Sequence, residues 1–135
     1  MEGSVRDLSK YRLERAKEDL ATAQDNFEKK RCRASVNRSY YAIFHALRAL
    51  TALDGFDSGK HSGIIAFVNQ NYVKSGIFDK NFSKMVDSAF RLREKADYED
   101  FYIVAVEDAA KQIEKAQAVI ALVEQYAAGR WEQAD

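Results

Sequence analysis

The chain has 135 residues, 21 basic and 21 acidic side chains, and an apolar share of 47%. That is enough apolar material for one packed domain, and zero net charge excludes a global field that would draw the whole molecule to nucleic acid. With no proline and only six glycines, none between Gly3 and Gly55, the chain is suited to long helices, and no useful length alternates as a strand does.

The first predicted helix runs from about Leu8 to Lys30. Leu13, Ala16, Leu20, Ala23 and Phe27 recur at spacings of three and four, which makes one apolar stripe, while Arg15, Lys17, Glu18 and Asp19 take the other faces. The basic run Lys29, Lys30, Arg31 and Arg33 is a short connection that can steer a nucleic-acid backbone or simply be solvated. The second helix is expected from Ala34 to Leu53, with Tyr40, Ile43, Phe44, Leu47 and Leu50 inward. Asp54-Gly55 ends it, and Ser58 is the expected cap of the next helix, from Lys60 to Tyr72. Ser75-Gly76 breaks that one. Asp79 caps a fourth helix, from Lys80 to Lys95, which buries Phe82, Met85, Val86, Ala89 and Phe90. Residues 96–100 read as a polar turn. The last helix is expected from Tyr102 to Ala127 on a stripe of Val106, Ala109, Ile113, Ala116, Ile120 and Val123, with Gly129 as its stop and 130–135 as a tail. The fold class is therefore all-α, an up-down bundle of about five helices in one domain over 1–135.

Cys32 is the sole cysteine, so no intramolecular disulfide and no cysteine-based zinc cage is expected, and a free thiol suits a reducing cytoplasm. The first residues lack the apolar stretch of a signal peptide. The longest apolar run, 118–123, is too short to span a bilayer. No cofactor and no metal is expected.

The chemistry concentrates on the second helix. Arg38 and His45 lie seven residues apart, which returns to within roughly 20° of one helix face at an axial distance of about 10 Å. Tyr41 falls between them, and Arg48 follows one turn later. A guanidinium grips phosphate oxygens in a fork and keeps its charge; an imidazole titrates near neutrality and moves protons. Together they suit phosphodiester chemistry. The competing reading is an imidazole that is a satisfied core residue beside an unrelated arginine. His61, the second of two histidines, reads as a helix-start residue bonded to the turn. Arg93, Asp97 and Tyr98 read as a structural network, and Tyr40, Phe44, Phe82 and Phe90 as core.

The blocks Asn37-Arg-Ser-Tyr-Tyr-Ala-Ile-Phe-His-Ala46, Lys60-His-Ser-Gly63 and Arg91-Leu-Arg-Glu-Lys-Ala-Asp-Tyr98, in this order, resemble the HEPN domain. They are most similar to the small stand-alone prokaryotic members grouped as UPF0332, over about residues 8–127. The resemblance implies a helical bundle that dimerises through the face carrying an arginine, four to six intervening residues and a histidine; Arg38 and His45 fit with six. It also implies a metal-independent ribonuclease, with Arg38 and His45 catalytic, often the toxin of a pair whose antitoxin is a nucleotidyltransferase. Other members are nucleotide- or RNA-binding accessories. One toxin branch carries a tyrosine two residues after the histidine, which its antitoxin modifies; Leu47 stands there in this chain. Asn37, Tyr41, Arg48 and Arg33 are the expected substrate-binding residues. A ten-ångström gap is long for two groups acting on one phosphate, so two copies of the helix are expected to share a cleft about a two-fold axis. Three functions compete: a ribonuclease cuts RNA in EDTA, a binding module binds RNA or nucleotide without turnover, and a pure dimerisation domain does neither.

Overall fold

A computed structural model describes residues 2–133, with side chains from residue 5 onward. Five α-helices occur among the described residues, and no strand does: α1 Glu2–Glu28, α2 Cys32–Leu53, α3 His61–Val68, α4 Lys80–Tyr98 and α5 Val106–Gln133. A single π-helical turn, Asn69–Val73, continues α3.

The helix α2 is the centre of the bundle. It packs on α1, α3, α4 and α5, and Tyr40, Ile43, Leu47 and Leu50 are sealed along it. The hydroxyl of Ser9 donates to the Ala49 carbonyl (2.7 Å), and that of Ser35 donates to the Ala23 carbonyl (2.8 Å). The order of these two pairings makes α1 and α2 antiparallel. Each is a buried, satisfied hydroxyl where two helices approach closely, and contributes about 1 kcal/mol. Asn37 with Asp97 and Tyr41 with Arg93 set α4 antiparallel to α2. Lys17 with Glu124 and Ser9 with Trp131 set α5 antiparallel to α1. The result is the up-down arrangement expected, with α3 and its π turn lying between α2 and α4 in the chain.

The turn between α1 and α2 has a physical signature. Lys30 adopts φ 62°, its N–H bonds the Phe27 carbonyl (2.9 Å), and the Arg31 N–H bonds the Asn26 carbonyl (2.8 Å). These are the two bonds of a Schellman cap with a lysine in the left-handed position that glycine usually fills. Gly55, at φ 68°, does fill such a position after α2. Asp79 caps α4 as expected, accepting from Asn81 N (2.9 Å) and Phe82 N (3.3 Å).

Several expected boundaries move. Helix α1 begins at Glu2 rather than Leu8, because Ser9 is buried against α2 and the turn before it continues the helix. Helix α4 continues through the expected turn to Tyr98: Ala96 is buried and the Arg93–Asp97 pair spans one turn. Helix α5 begins at Val106, not Tyr102. Residues 102–105 are not helical, and Val104 packs in a small cluster with Val36, Ala96 and Ala109, whereas Val106 itself is exposed. Gly129 does not stop α5, because just beyond it Arg130 bonds Asp54 (3.1 Å) and Tyr126 (3.0 Å) and Trp131 bonds Ser9 (2.9 Å). Residues 134 and 135 of the expected tail lie outside the described residues. Ser58 caps α3 only indirectly: its hydroxyl accepts the N–H of Lys60 at 3.2 Å. Phe82 is core as expected, and Phe90 is half-buried against Tyr40. Among the described residues no helix is long and apolar enough to cross a membrane.

Candidate functional site

Arg38 and His45 lie on the edge of α2 that faces α1, with Tyr41 beside them, and a residue of α1 joins the guanidinium and the imidazole. The Asp19 carboxylate takes Arg38 Nη1 on one oxygen at 3.2 Å and lies 3.5 Å from His45 Nε2 with the other. Asp19 and His45 are largely buried, with 13% and 14% of their side chains exposed; Arg38 is more open, at 37%. One carboxylate thus lies between the guanidinium and the imidazole within a single chain.

Asn37 holds the guanidinium from its other side. Its Oδ1 accepts from Arg38 Nε (2.9 Å) and Nη2 (2.7 Å), and its Nδ2 donates to Asp97 (2.9 Å). Asn37 thus stands as an orienting residue for Arg38. These contacts use three of the five guanidinium N–H groups, which leaves one on each Nη to fork onto an oxyanion. Tyr41 lies under Arg38, with Cζ 4.9 Å from the ring centre. Its hydroxyl accepts from Arg93 Nη2 at 3.1 Å. Arg93 is buried, also lies over Tyr40 at 4.8 Å, and pairs with Asp97. The network expected of Arg93 and Asp97 exists, on a helix rather than in a turn, and it grips Tyr41 and Asn37 from behind.

Burial holds the His45 imidazole below its ordinary pKa. Arg15, Arg48 and Arg38 push the same way, and Asp19 alone opposes them. The ring is then neutral at pH 7 and can accept a proton. The 3.5 Å contact between Asp19 Oδ2 and His45 Nε2 is too long for a strong hydrogen bond, and Asp19 Oδ2 is buried without a hydrogen-bond partner.

Of the other expected residues, Arg33 lines a shallow cleft of about 390 Å³ with Asn37, Arg38 and Asp97. It donates to the Tyr102 carbonyl, which fastens the α4–α5 loop beside the site. Arg48 lines a second cleft, of about 570 Å³, on the far side of His45 along α2. His61 bonds Tyr40 rather than the turn, with Nδ1 2.9 Å from the hydroxyl, and stacks on Phe44 at 4.1 Å. Leu47 is buried, so position 47 offers nothing to a modifying enzyme. Among the described residues no group of three His, Cys, Asp or Glu side chains is arranged to hold a metal ion.

Asp19 is the residue sequence reading missed. It was assigned to the charged side of α1, yet it stands three residues after Ala16 and four before Ala23, both fully buried. That spacing places it at the border of the apolar stripe, which is the available signal.

The HEPN domain model matches residues 9–126. The chain belongs to the HEPN domain family. A UPF0332 protein of Thermotoga maritima is 32% identical over 117 residues, covering 87% of this chain and 89% of the relative. One of Archaeoglobus fulgidus is 30% identical over 121 residues, covering 84% and 96%. A protein of Methanocaldococcus jannaschii named "Putative toxin MJ0605" is 34% identical over 94 residues, 70% of each chain. In this HEPN domain the matched span contains Asp19 on α1, Arg38 to Arg48 on α2 and the Arg93–Asp97 pair on α4.

Proposed function

We propose that the chain is a metal-independent endoribonuclease of the toxin type, working as a homodimer and controlled by a nucleotidyltransferase partner. The observation that carries this reading is the Asp19 clasp, which sets a forked, half-exposed guanidinium beside a neutral imidazole.

His45 takes the proton of an RNA 2′-hydroxyl. The 2′-oxygen attacks phosphorus, the new P–O2′ bond forms as the P–O5′ bond breaks, and the 5′-oxygen leaves with a proton taken from solvent water, His45 afterwards releasing its own to solvent. Arg38 stabilises the charge that develops on the phosphorane with its two remaining N–H groups. Arg33 and Arg48, on either side of His45 along α2, hold flanking phosphates, and Tyr41 with Asn37 keeps Arg38 in place. The products are a 2′,3′-cyclic phosphate and a 5′-hydroxyl.

Dimerisation is supported by what lies at the Arg33 end of the site. Tyr98, Phe101, Ile103 and Val106 are 71%, 99%, 86% and 56% exposed, four uncovered apolar side chains within nine residues, and exposed apolar surface of this kind marks an interaction site. The toxin role is supported by the name of the M. jannaschii relative. A second reading, a nucleotide- or RNA-binding module without turnover, is favoured by one fact: Asp19 already occupies one N–H of Arg38 and competes with an incoming phosphate.

The test is cleavage of a mixed-sequence RNA in EDTA by the parent chain, Arg38→Ala and His45→Ala, with end-group analysis. The nuclease reading expects cyclic-phosphate ends and a loss of at least about a hundredfold in either variant. Binding without cleavage supports the second reading. Cleavage by His45→Ala at the parent rate overturns the mechanism.

A further inference from the structure

A groove of about 710 Å³ lies between α3 with its π turn and the first turns of α4. None of the residues that line it belongs to α1 or α2, so it stands apart from the Arg38–His45 edge. We propose that this groove docks an acidic amphipathic helix of a partner protein, with apolar side chains on the α3 wall and carboxylates on the α4 wall. The inference holds whether or not the chain cuts RNA.

The α3 wall supplies the apolar floor. Ile65, Asn69 and Val73 recur every four residues and are all half-buried. The wall ends in the π turn, whose closing bond runs from Lys74 N to the Asn69 carbonyl at 2.9 Å. Both residues line the groove, so this wider turn is part of its surface, and turns of this kind recur at functional sites. Ile77, in the connection that joins the two walls, is exposed.

The α4 wall supplies the charge. Lys80 and Lys84 stand one turn apart, about 6 Å along the axis. The side chains of Lys74, Lys80 and Lys84 are exposed, and none of the three has a hydrogen-bond or ion-pair partner among the described residues. By contrast, Arg38, Arg48, Arg91 and Arg130 each meet a carboxylate within 3.4 Å. The nearby carboxylates are engaged: Asp79 caps α4 at Asn81 N (2.9 Å), and Asp87 pairs with Arg91 (3.0 Å). No acidic side chain stands in the first turn of α4 to offset the positive end of the helix dipole. In a chain of zero net charge, this is a local cationic rim over an apolar floor.

That combination selects a protein partner. A nucleic-acid strand is gripped by aromatic faces and forked guanidinium groups, and neither an aromatic nor an arginine side chain lines the groove. Two ammonium groups one turn apart match glutamates at i and i+4 of a partner helix, which have the same spacing. Ile65 and Val73 then receive the apolar face of that helix.

The experiment adds a capped alanine-based helical peptide, with glutamates and leucines each paired at i and i+4, to the full chain and follows it by NMR. Shifts should concentrate at residues 65–74 and 80–84, weaken with added salt and vanish when glutamine replaces glutamate in the peptide. Lys80→Glu with Lys84→Glu should weaken binding at least about tenfold with the thermal melt kept, and Lys80→Arg with Lys84→Arg should retain it. Equal binding of the glutamine peptide, or no shift at 65–84 up to millimolar peptide, overturns the docking site. Shifts there with a uridine oligonucleotide or with phosphatidylserine vesicles, and none with the peptide, overturn it in favour of a nucleic acid or a membrane surface. Cleavage of RNA in EDTA, where the parent shows it, should be unchanged in the double glutamate variant, so the docking site and the nuclease reading fail separately.

Discussion

Asp19 Oδ2 lies 3.5 Å from His45 Nε2 while its sister oxygen holds Arg38 at 3.2 Å. One helix thus supplies the charge that faces the guanidinium and the imidazole of another. Asp19 is the sole group that favours the protonated form of His45 against burial and three arginines.

Replacing Asp19 by asparagine removes that charge at nearly constant shape. The His45 pKa should then fall further, and Arg38 should lose its ion pair while keeping Asn37. If the chain cleaves RNA, kcat should drop at least about tenfold and the acid limb of its pH profile should move to lower pH. The His45 ring titration followed by NMR decides this; an unchanged pKa in Asp19→Asn would show that the clasp does not operate in solution.

Both histidines are held below their ordinary pKa. Burial dominates in each, with Arg93 and Arg48 adding to it at His61 and the site arginines at His45. The unfolded chain then binds protons more readily than the folded one. Stability from this source is fully present above about pH 6.5 and is lost as the pH falls through the lower folded values. Urea unfolding at a series of pH values should show the decline, and His45→Gln with His61→Gln should flatten it.

The left-handed lysine in the first turn gives a stability test unconnected with chemistry. Lys30 sits at φ 62°, where a side chain costs about 1 kcal/mol relative to glycine. Lys30→Gly should raise the urea midpoint accordingly, and Lys30→Val should lower it. An unchanged midpoint in both would contradict the cap.

The loop before α5 tests the assembly. Phe101→Glu with Ile103→Glu adds charge to two side chains that are 99% and 86% exposed, so folding should be undisturbed. Sedimentation should show the parent as a dimer and the double variant as a monomer. A monomeric parent would remove the shared-cleft arrangement.

The bundle was legible because its cause is local. Apolar spacing, Asp79 and the Asp54-Gly55 turn each act within a few residues, and the helices follow from them. The boundaries that moved are those set by distant partners: Arg130 and Trp131 carry α5 past Gly129 by bonding Asp54 and Ser9, and Val104 is drawn out of α5 by Val36 and Ala96. The site divides the same way. Arg38, Tyr41 and His45 share a helix and can be placed by counting. Asp19 comes from another helix, and its burial depends on how α1 lies against α2, which counting along one helix does not give. His61 was assigned to its own turn, yet its partners Tyr40 and Phe44 lie about twenty residues earlier.

The bond from Trp131 to Ser9 has a topological consequence. It joins the last turns of α5 to the first turns of α1, so the described ends of the chain are neighbours in space and the bundle is close to a ring. A circular permutant that links them through a short Gly-Ser bridge and opens the chain at the exposed Ser75-Gly76 connection would keep every helix whole. In that permutant the path from Asp19 through Arg38 to His45 would be uninterrupted, and new termini would stand far along the sequence from the residues that hold the site together.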